Sequence, residues 1–437
     1  MSEEKLEGSS ASEPAHLGTR DQFALSFLWL GLNFQSSAML PVVVPAQLLL
    51  LVSVGQVADA KQATFLAGLG FTAGAISVVV QPLVGMWSDR SRGPARRLGW
   101  ISGGIALSVL GMGGLTAMAS PLLFTMAWVL VQVGANAATA PYQALLPDHV
   151  PENQRGAASG WLGLMTLIGS LGSLAAAGVV LGSVQAGPSL ASQIRHGAFV
   201  FYAAAVATLV VGGVVTHMRF WGAGATARVR PSGDWWVLWA APLRHRRFRL
   251  VFVARSFVML GLSLFLTFIE YYFARVARVP NFAGATAGVA GLALAGALVS
   301  SLYMGAMSDR GRRLEIVIAA TLLMALAAFA FVILPAGFPL APLGVVFGIG
   351  YGAYLSVDWA LAVDSLPPSA GVGLDMGIWN VASTLPSAVA PLLGGVVIAL
   401  LAGQGDLAVG YRLTFALAAF TFVGGALALR GLRSRPA

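Results

Sequence analysis

Twelve separate apolar runs, each long enough to cross a lipid bilayer, constrain this chain more than any other feature. A spanning helix needs about 20 mostly apolar residues. Such runs occupy residues 23–52, 63–86, 98–119, 121–146, 155–181, 196–219, 249–276, 281–307, 314–335, 338–363, 371–401 and 406–430. Charges, Pro, Gly or short polar turns separate them, and the weakest break, near residue 120, carries only Ser120 and Pro121. In hydrocarbon each segment must satisfy its own backbone N–H and C=O groups, and runs of this length do so as helices. The expected fold class is therefore an all-α membrane protein with twelve transmembrane helices. Composition agrees: hydrophobic residues make up 57% of the 437 and charged residues 10%, against about 25% charged in soluble domains.

Lys and Arg set the expected orientation, because they concentrate in cytoplasmic loops. With the N-terminus inside, 20 of the 26 fall on the cytoplasmic side, five (Lys61, Arg195, Arg275, Arg278, Arg412) fall outside, and Arg255 lies within a span. Both termini are thus expected in the cytoplasm of an inner or plasma membrane. The expected organisation is a disordered tail over 1–22, a six-helix half over 23–219, a cytoplasmic loop over 220–248, a second six-helix half over 249–430, and a tail over 431–437. The first 22 residues are polar and hold four Glu plus Asp21, so no signal peptide is expected. In the central loop, Trp235, Trp236 and Trp239 precede Arg244, Arg246 and Arg247, which suits a helix lying among lipid headgroups.

The net charge of +9 sits in short clusters between apolar runs, a membrane-topology pattern, so no nucleic-acid partner is expected. Cysteine is absent, which removes disulfides and thiolate chemistry. The five His (His16, His149, His196, His217, His245) are scattered in tails, loops and span ends. With no metal-spaced His pair and no phosphate-binding loop, the chain is not expected to be an enzyme, an ATP-driven pump, or the holder of a metal or cofactor. A monomer among membrane lipids is expected.

The two halves repeat each other. Gly85-Met86-Trp87-Ser88-Asp89-Arg90, followed by Arg96 and Arg97, matches Gly305-Ala306-Met307-Ser308-Asp309-Arg310, followed by Arg312 and Arg313. Each copy ends the second span of its half. At the end of the fourth span, Ala144 to Pro151 around Asp148 matches Ala360 to Pro367 around Asp364. Duplicated six-helix halves place a substrate site between them near the membrane midplane and rock to alternate its access.

The repeated Gly-x-x-Ser-Asp-Arg with trailing Arg residues resembles the signature loop of the major facilitator superfamily. Twelve spans and a long central loop agree, so the resemblance covers nearly the whole chain and implies two pseudo-symmetric halves. The first copy has one extra residue before Gly93, and the second is one residue short, with Gly311 directly after Arg310. Within the superfamily, Ser-Asp-Arg with a nearby Arg pair and Tyr142-Gln143 through Asp148 look most like the glycoside/sucrose–cation symporter branch. That likeness implies sugar uptake coupled to a proton or sodium ion. The resemblance to the superfamily's signature loop implies that Gly85, Asp89, Arg90, Arg96, Arg97, Asp309 and Arg310 latch the halves in one state. Coupled relatives commonly carry acids in spans two or four, and the membrane portions of both lack Asp and Glu here.

Charges within spans are costly and are functional candidates by default. Asp358 in span ten and Glu270 in span seven are the acidic candidates, with Arg275 within reach of Glu270 for an interfacial pair. The position matching Asp358 in the first half is Tyr142, so the repeat does not require a charge there. Arg255, near the inner end of span seven, reads as a side chain snorkelling to headgroups. Polar and aromatic residues at depth complete the set: Asn33, Gln35, Gln81, Asn136, Tyr142, Gln143, Trp161, Trp359, Trp379 and Asn380. Trp beside Asn or Gln gives a sugar a stacking plate and hydroxyl partners, and each amide has helix–helix hydrogen bonding as its plainer role. The functional expectation is a secondary transporter of a small, sugar-like solute. Two competitors remain: an exporter of amphipathic compounds on the same fold, with a greasy cavity, and a non-transporting assembly factor for a membrane pigment or lipid.

Overall fold

The computed structural model describes residues 17–53, 55, 57, 62–91, 96–117, 120–182, 189–221, 235–279, 282–335, 338–367, 371–402 and 407–432. Residues 1–16, most of the central loop (222–234) and 433–437 lie outside this set. Fourteen α-helices are described: α1 (Thr19–Ser37), α2 (Val44–Ser53), α3 (Gln62–Arg90), α4 (Arg96–Ala117), α5 (Pro121–His149), α6 (Arg155–Leu181), α7 (Leu190–Phe220), α8 (Trp235–Arg244), α9 (Arg246–Arg275), α10 (Phe282–Met307), α11 (Arg313–Ile333), α12 (Ala341–Val363), α13 (Val372–Ala402) and α14 (Leu407–Arg430).

Among the described residues, eleven uninterrupted helical stretches are long and apolar enough to cross a membrane. One of them, Gly288–Ile333, runs for 46 residues, twice what a bilayer needs, because it joins α10 and α11 through a turn at Ser308–Arg312. Among the described residues the spans therefore number twelve, six on each side of α8. The turn works because Gly311 sits at φ 84°, where a side chain would strain the backbone. That glycine lets the second copy of the signature loop be one residue shorter than the first.

The first span is α1 and α2 combined, starting at Thr19, four residues before the expected boundary. Pro41 and Pro45 cannot donate to the helical ladder. A π-turn over Met39–Val43 absorbs the break, and the N–H groups of Val42 and Val43 both reach the Ala38 carbonyl. At the weak break near 120, the Ser120 hydroxyl caps α5 by accepting from Leu123 N–H. The central loop forms a helix, α8, with Leu238, Trp239 and Leu243 packed against the core.

Two apolar cores organise the molecule. One follows the second half, α9 to α14. The other belongs to the first half and also takes in Trp359, Ala360, Val363, Val372, Leu374, Met376, Ile378 and Trp379, one end each of α12 and α13. The halves are thus fused at one face. Leu17 bonds to Gln154 there, and Arg246 donates to the Gly431 carbonyl, so both described chain ends lie on that face, here called the terminal face. Towards the far face α13 presents exposed Leu385, Leu392, Val396 and Leu400, and α3 presents Phe71.

Gly311→Ala should lower stability by about 1 kcal/mol, the cost of a left-handed residue. Gly99→Ala, whose added methyl would meet nothing within 4 Å, should not destabilise. Thermal unfolding of the purified variants checks both.

Candidate functional site

The seal at the terminal face is built twice on one plan. The Asp89 carboxylate, at the end of α3, accepts from Gly373 N–H at 3.0 Å and Leu374 N–H at 2.9 Å, in the first turn of α13. The Asp309 carboxylate, at the end of α10, accepts from Gly156 and Ala157 N–H at 2.7 and 2.8 Å, in the first turn of α6. The first turn of a helix carries unpaired N–H groups and the positive end of its dipole, so each acid of one half caps a helix of the other. A methyl on Gly85 would overlap the Gly373 backbone, so only glycine permits this approach.

Each acid is held by an Arg. Arg97 pairs with Asp89 at 2.9 Å and with Asp148 at 2.6 Å, all three buried. Arg313 pairs with Asp309 at 2.7 Å and with Asp364. Arg155 on α6 adds an ion pair across the halves to Asp364 at 2.9 Å. The residues that follow the acids directly, Arg90 and Arg310, are exposed, and the Arg96 side chain lies outside the described residues.

Deeper along the same interface, Ser77 on α3 meets Thr384 on α13 at 3.2 Å. Gln143 on α5 and Asn380 on α13 exchange amide hydrogen bonds across the halves. Gln81 donates to Asn136 within the first half, leaving its own oxygen buried without a partner.

Above this seal lies a cluster in the second half. Arg255 of α9 forms an ion pair with Asp358 of α12, and Tyr354 donates to the same carboxylate at 2.9 Å. The Arg255 guanidinium sits 3.6 Å from the Trp379 ring centroid, a stacking geometry that suits a desolvated cation. Three donors here are buried without partners: Arg255 Nε, Trp359 Nε1 and Trp379 Nε1. Buried polar groups are normally paired, so orphaned donors at one level of a membrane protein mark where another molecule's acceptors could sit.

A cavity of about 220 Å³ opens between α6 of the first half and α9, α10 and α12 of the second. Its walls are mainly apolar, including Leu262, Phe265, Ile269 and Phe347, with Thr166 and Ser170 contributing hydroxyls. Tyr351 lines it too, one turn along α12 from Tyr354 of the charged cluster. The charged cluster thus adjoins the cavity on its terminal-face side.

Other candidates fall elsewhere. Gln35 accepts from Ser108 of α4, and Tyr142 donates to the Leu25 carbonyl while stacking on Trp29; both brace the first half. Asn33 bonds back to Trp29 within α1, and Trp161 packs edge-on to Phe23. Glu270 is exposed one turn beyond Leu266 of the cavity wall, and the expected pair with Arg275 is not among the described ion pairs. Arg255 does not snorkel: it is held in the interior by Asp358 and Trp379. Sequence reasoning also missed Asp375, fully buried with neither carboxyl oxygen paired. Its signal was an acid in the first turn of a span, which reads as an ordinary helix start.

Two six-helix halves sealed at one face, with a cavity between them, have the architecture of the major facilitator fold. The chain belongs to the MFS/sugar transport protein family, whose profile matches residues 51–429. Solved structures with the same fold include the E. coli fucose:proton symporter (TM-score 0.72, 13% identity, covering 95% of this chain and 98% of that one). A bacterial homologue of the iron transporter ferroportin in its outward-facing state superposes with TM-score 0.70 at 15% identity, covering 96% and 100% of the two chains. The proton:xylose symporter does so with TM-score 0.66 at 14% identity, covering 93% and 94%. No curated protein matches the sequence.

Asp89→Asn should weaken one latch by about 2 kcal/mol, roughly thirtyfold in the closed-to-open ratio. A Ser77→Cys/Thr384→Cys pair in this cysteine-free chain reports closure by oxidative cross-linking, and its yield should fall when Asp89→Asn is added. An unchanged yield would make Asp89 a topology marker only.

Proposed function

We propose that this secondary transporter moves a small, sugar-like solute by alternating access, in an inner or plasma membrane, with the terminal face in the cytoplasm. The carrying observation is the cluster beside the cavity: a stacked Arg255–Trp379 pair, the Asp358 carboxylate with Tyr354, and unpartnered donors on Arg255, Trp359 and Trp379. Hydroxyl oxygens can accept from those donors, and an indole face suits the apolar face of a pyranose. The excess of Lys and Arg on the terminal face supports the orientation. In that orientation the described conformation is closed to the cytoplasm.

The ion pair supplies a means of coupling. Protonating Asp358 frees Arg255, whose charge is then balanced by neither carboxylate nor water. Such a buried charge is unstable, so proton binding, solute binding and rearrangement of α9 against α12 are linked. A proton is therefore the favoured coupling ion over sodium.

The mainly apolar walls favour a second reading, export of amphipathic compounds whose greasy part lies against Phe265 and Phe347. A thermal-shift screen of the purified protein separates the two, since ligand binding to the folded state raises apparent stability. Stabilisation by free sugars supports the first reading. Stabilisation by lipophilic compounds with no response to sugars replaces it with the second.

Asp358→Asn should insert and fold yet lose solute accumulation driven by an imposed proton gradient in proteoliposomes, while exchange down a solute gradient survives. Accumulation at the wild-type rate would remove Asp358 from coupling and turn attention to Glu270. Orientation is checked on intact cells with an impermeant thiol reagent, which should label a single cysteine at position 189 and leave one at 232 unlabelled.

A further inference from the structure

Asp375 lies in the first turn of α13, inside the seal that Asp89 makes with that helix. Its relative exposure is 0%, and neither carboxyl oxygen has a hydrogen-bond partner. The described charged groups around it are committed elsewhere or exposed. From α3, Asp89 is the nearby charge acting on it, and that charge is negative. From α4, Arg97 is committed to Asp89 and to Asp148 of α5. Beside Asp148, the His149 ring packs on Phe220 of α7. From α9, Arg255 stands over Trp379, one turn further along α13, and is committed to Asp358. Arg244, ending α8, and Arg430, ending α14, are exposed. Among the described ion pairs, none joins a cation to Asp375.

The repeat shows that the seal does not need this acid. The latch contacts equate Gly373 and Leu374 with Gly156 and Ala157, which makes Ala158 the partner position of Asp375. An alanine completes one latch, and an unpaired carboxyl group completes the other. A carboxylate buried beside Asp89 would suffer both desolvation and like-charge repulsion. The neutral acid escapes the repulsion and pays a much smaller desolvation cost than the charge would. Once α13 leaves α3, the same group meets water and ionises as an ordinary solvated carboxylic acid does.

We propose that Asp375 is a proton-binding site within the terminal-face gate, taking up one proton when α13 docks on α3 and releasing it to that face when the gate opens. The carboxylate oxygen gains the O–H bond on closing and returns the proton to water on opening. This inference goes beyond the identity of the solute, and it rests only on the halves parting at this face. It makes the gate respond to pH on the terminal side: acid holds it shut, and alkali releases it. Opening frees one proton, so the open-to-closed ratio rises by up to tenfold for each unit of pH.

The test needs neither substrate nor gradient, so it stands or falls separately from the transport reading. Val372, buried at 3% in the first turn of α13, becomes reachable when the gate opens. A Val372→Cys protein carries a single thiol. Its alkylation rate, divided at each pH by that of the same protein denatured, removes the thiol's own titration. The normalised rate should climb severalfold or more between pH 5 and pH 8, and adding Asp375→Asn should flatten it at the low value. If the Asn variant fails to fold, Asp375→Ala, which copies Ala158 of the other half, should give the same flat profile. A pH dependence that survives both substitutions overturns the proposal, and so does a flat profile in the Val372→Cys protein alone.

Discussion

The carboxylate of one half resting on the open N-terminus of a helix in the other half is the contact on which this conformation depends. Between two apolar bundles in lipid, no hydrophobic force holds surfaces together, because lipid tails are as apolar as the side chains. What remains is close packing and polar bonding. Asp89 on α13 and Asp309 on α6 supply four charge-assisted bonds between the halves, each of a kind worth about 1.5–3 kcal/mol. The glycines beneath them let the backbones approach. A hydrophobic interface would hold the halves in many orientations. These bonds hold them in one, and a few small movements of an Arg or a proton can undo them.

The symmetric residues serve the fold, and the asymmetric ones point to function. Asp89, Arg97 and Asp148 in the first half answer to Asp309, Arg313 and Asp364 in the second, and both triads close the same face. Symmetry breaks at a few places. Asp358 answers to Tyr142, whose hydroxyl is spent on a backbone carbonyl. Asp375 answers to Ala158. Duplication would have supplied apolar or neutral residues at these depths without cost to the fold, so a carboxyl group there needs another reason.

Sequence made the architecture legible because lipid imposes so much of it. Span number, the two halves, the central helix and the paired signature loops could all be read from run length and repeat, with the joined α10–α11 turn and the early start of α1 as adjustments. The site was less legible. Most spans here are apolar on every side, so periodicity does not tell which face meets a neighbouring helix. Gln35 and Tyr142 looked like Asn380, yet they brace α4 and α1 while Asn380 bridges the halves. Arg255 and Asp358 stand about a hundred residues apart, and each had a sufficient local explanation, snorkelling for one and an unknown partner for the other. Their pairing depends on the rotation of α9 against α12, which is a property of packing.

That pairing also explains how a cavity with greasy walls can be governed by charge. A buried Arg–carboxylate pair is costly to assemble from water, and it is more costly still to leave half-made. Arg255 is balanced here by Asp358, by the Tyr354 hydroxyl acting through that carboxylate, and by the Trp379 face. Its Nε and the two indole N–H groups still lack partners. A solute that offers oxygen atoms to those donors relieves the deficit, and one that merely fills the cavity beside Phe265 does not. On the proposed reading, discrimination between solutes of similar size would reside in these three donors, beside the Tyr351 end of the cavity. Affinity would then have a separate source in the apolar walls, and a sugar and an amphipathic compound would differ in which of the two contributions they engage.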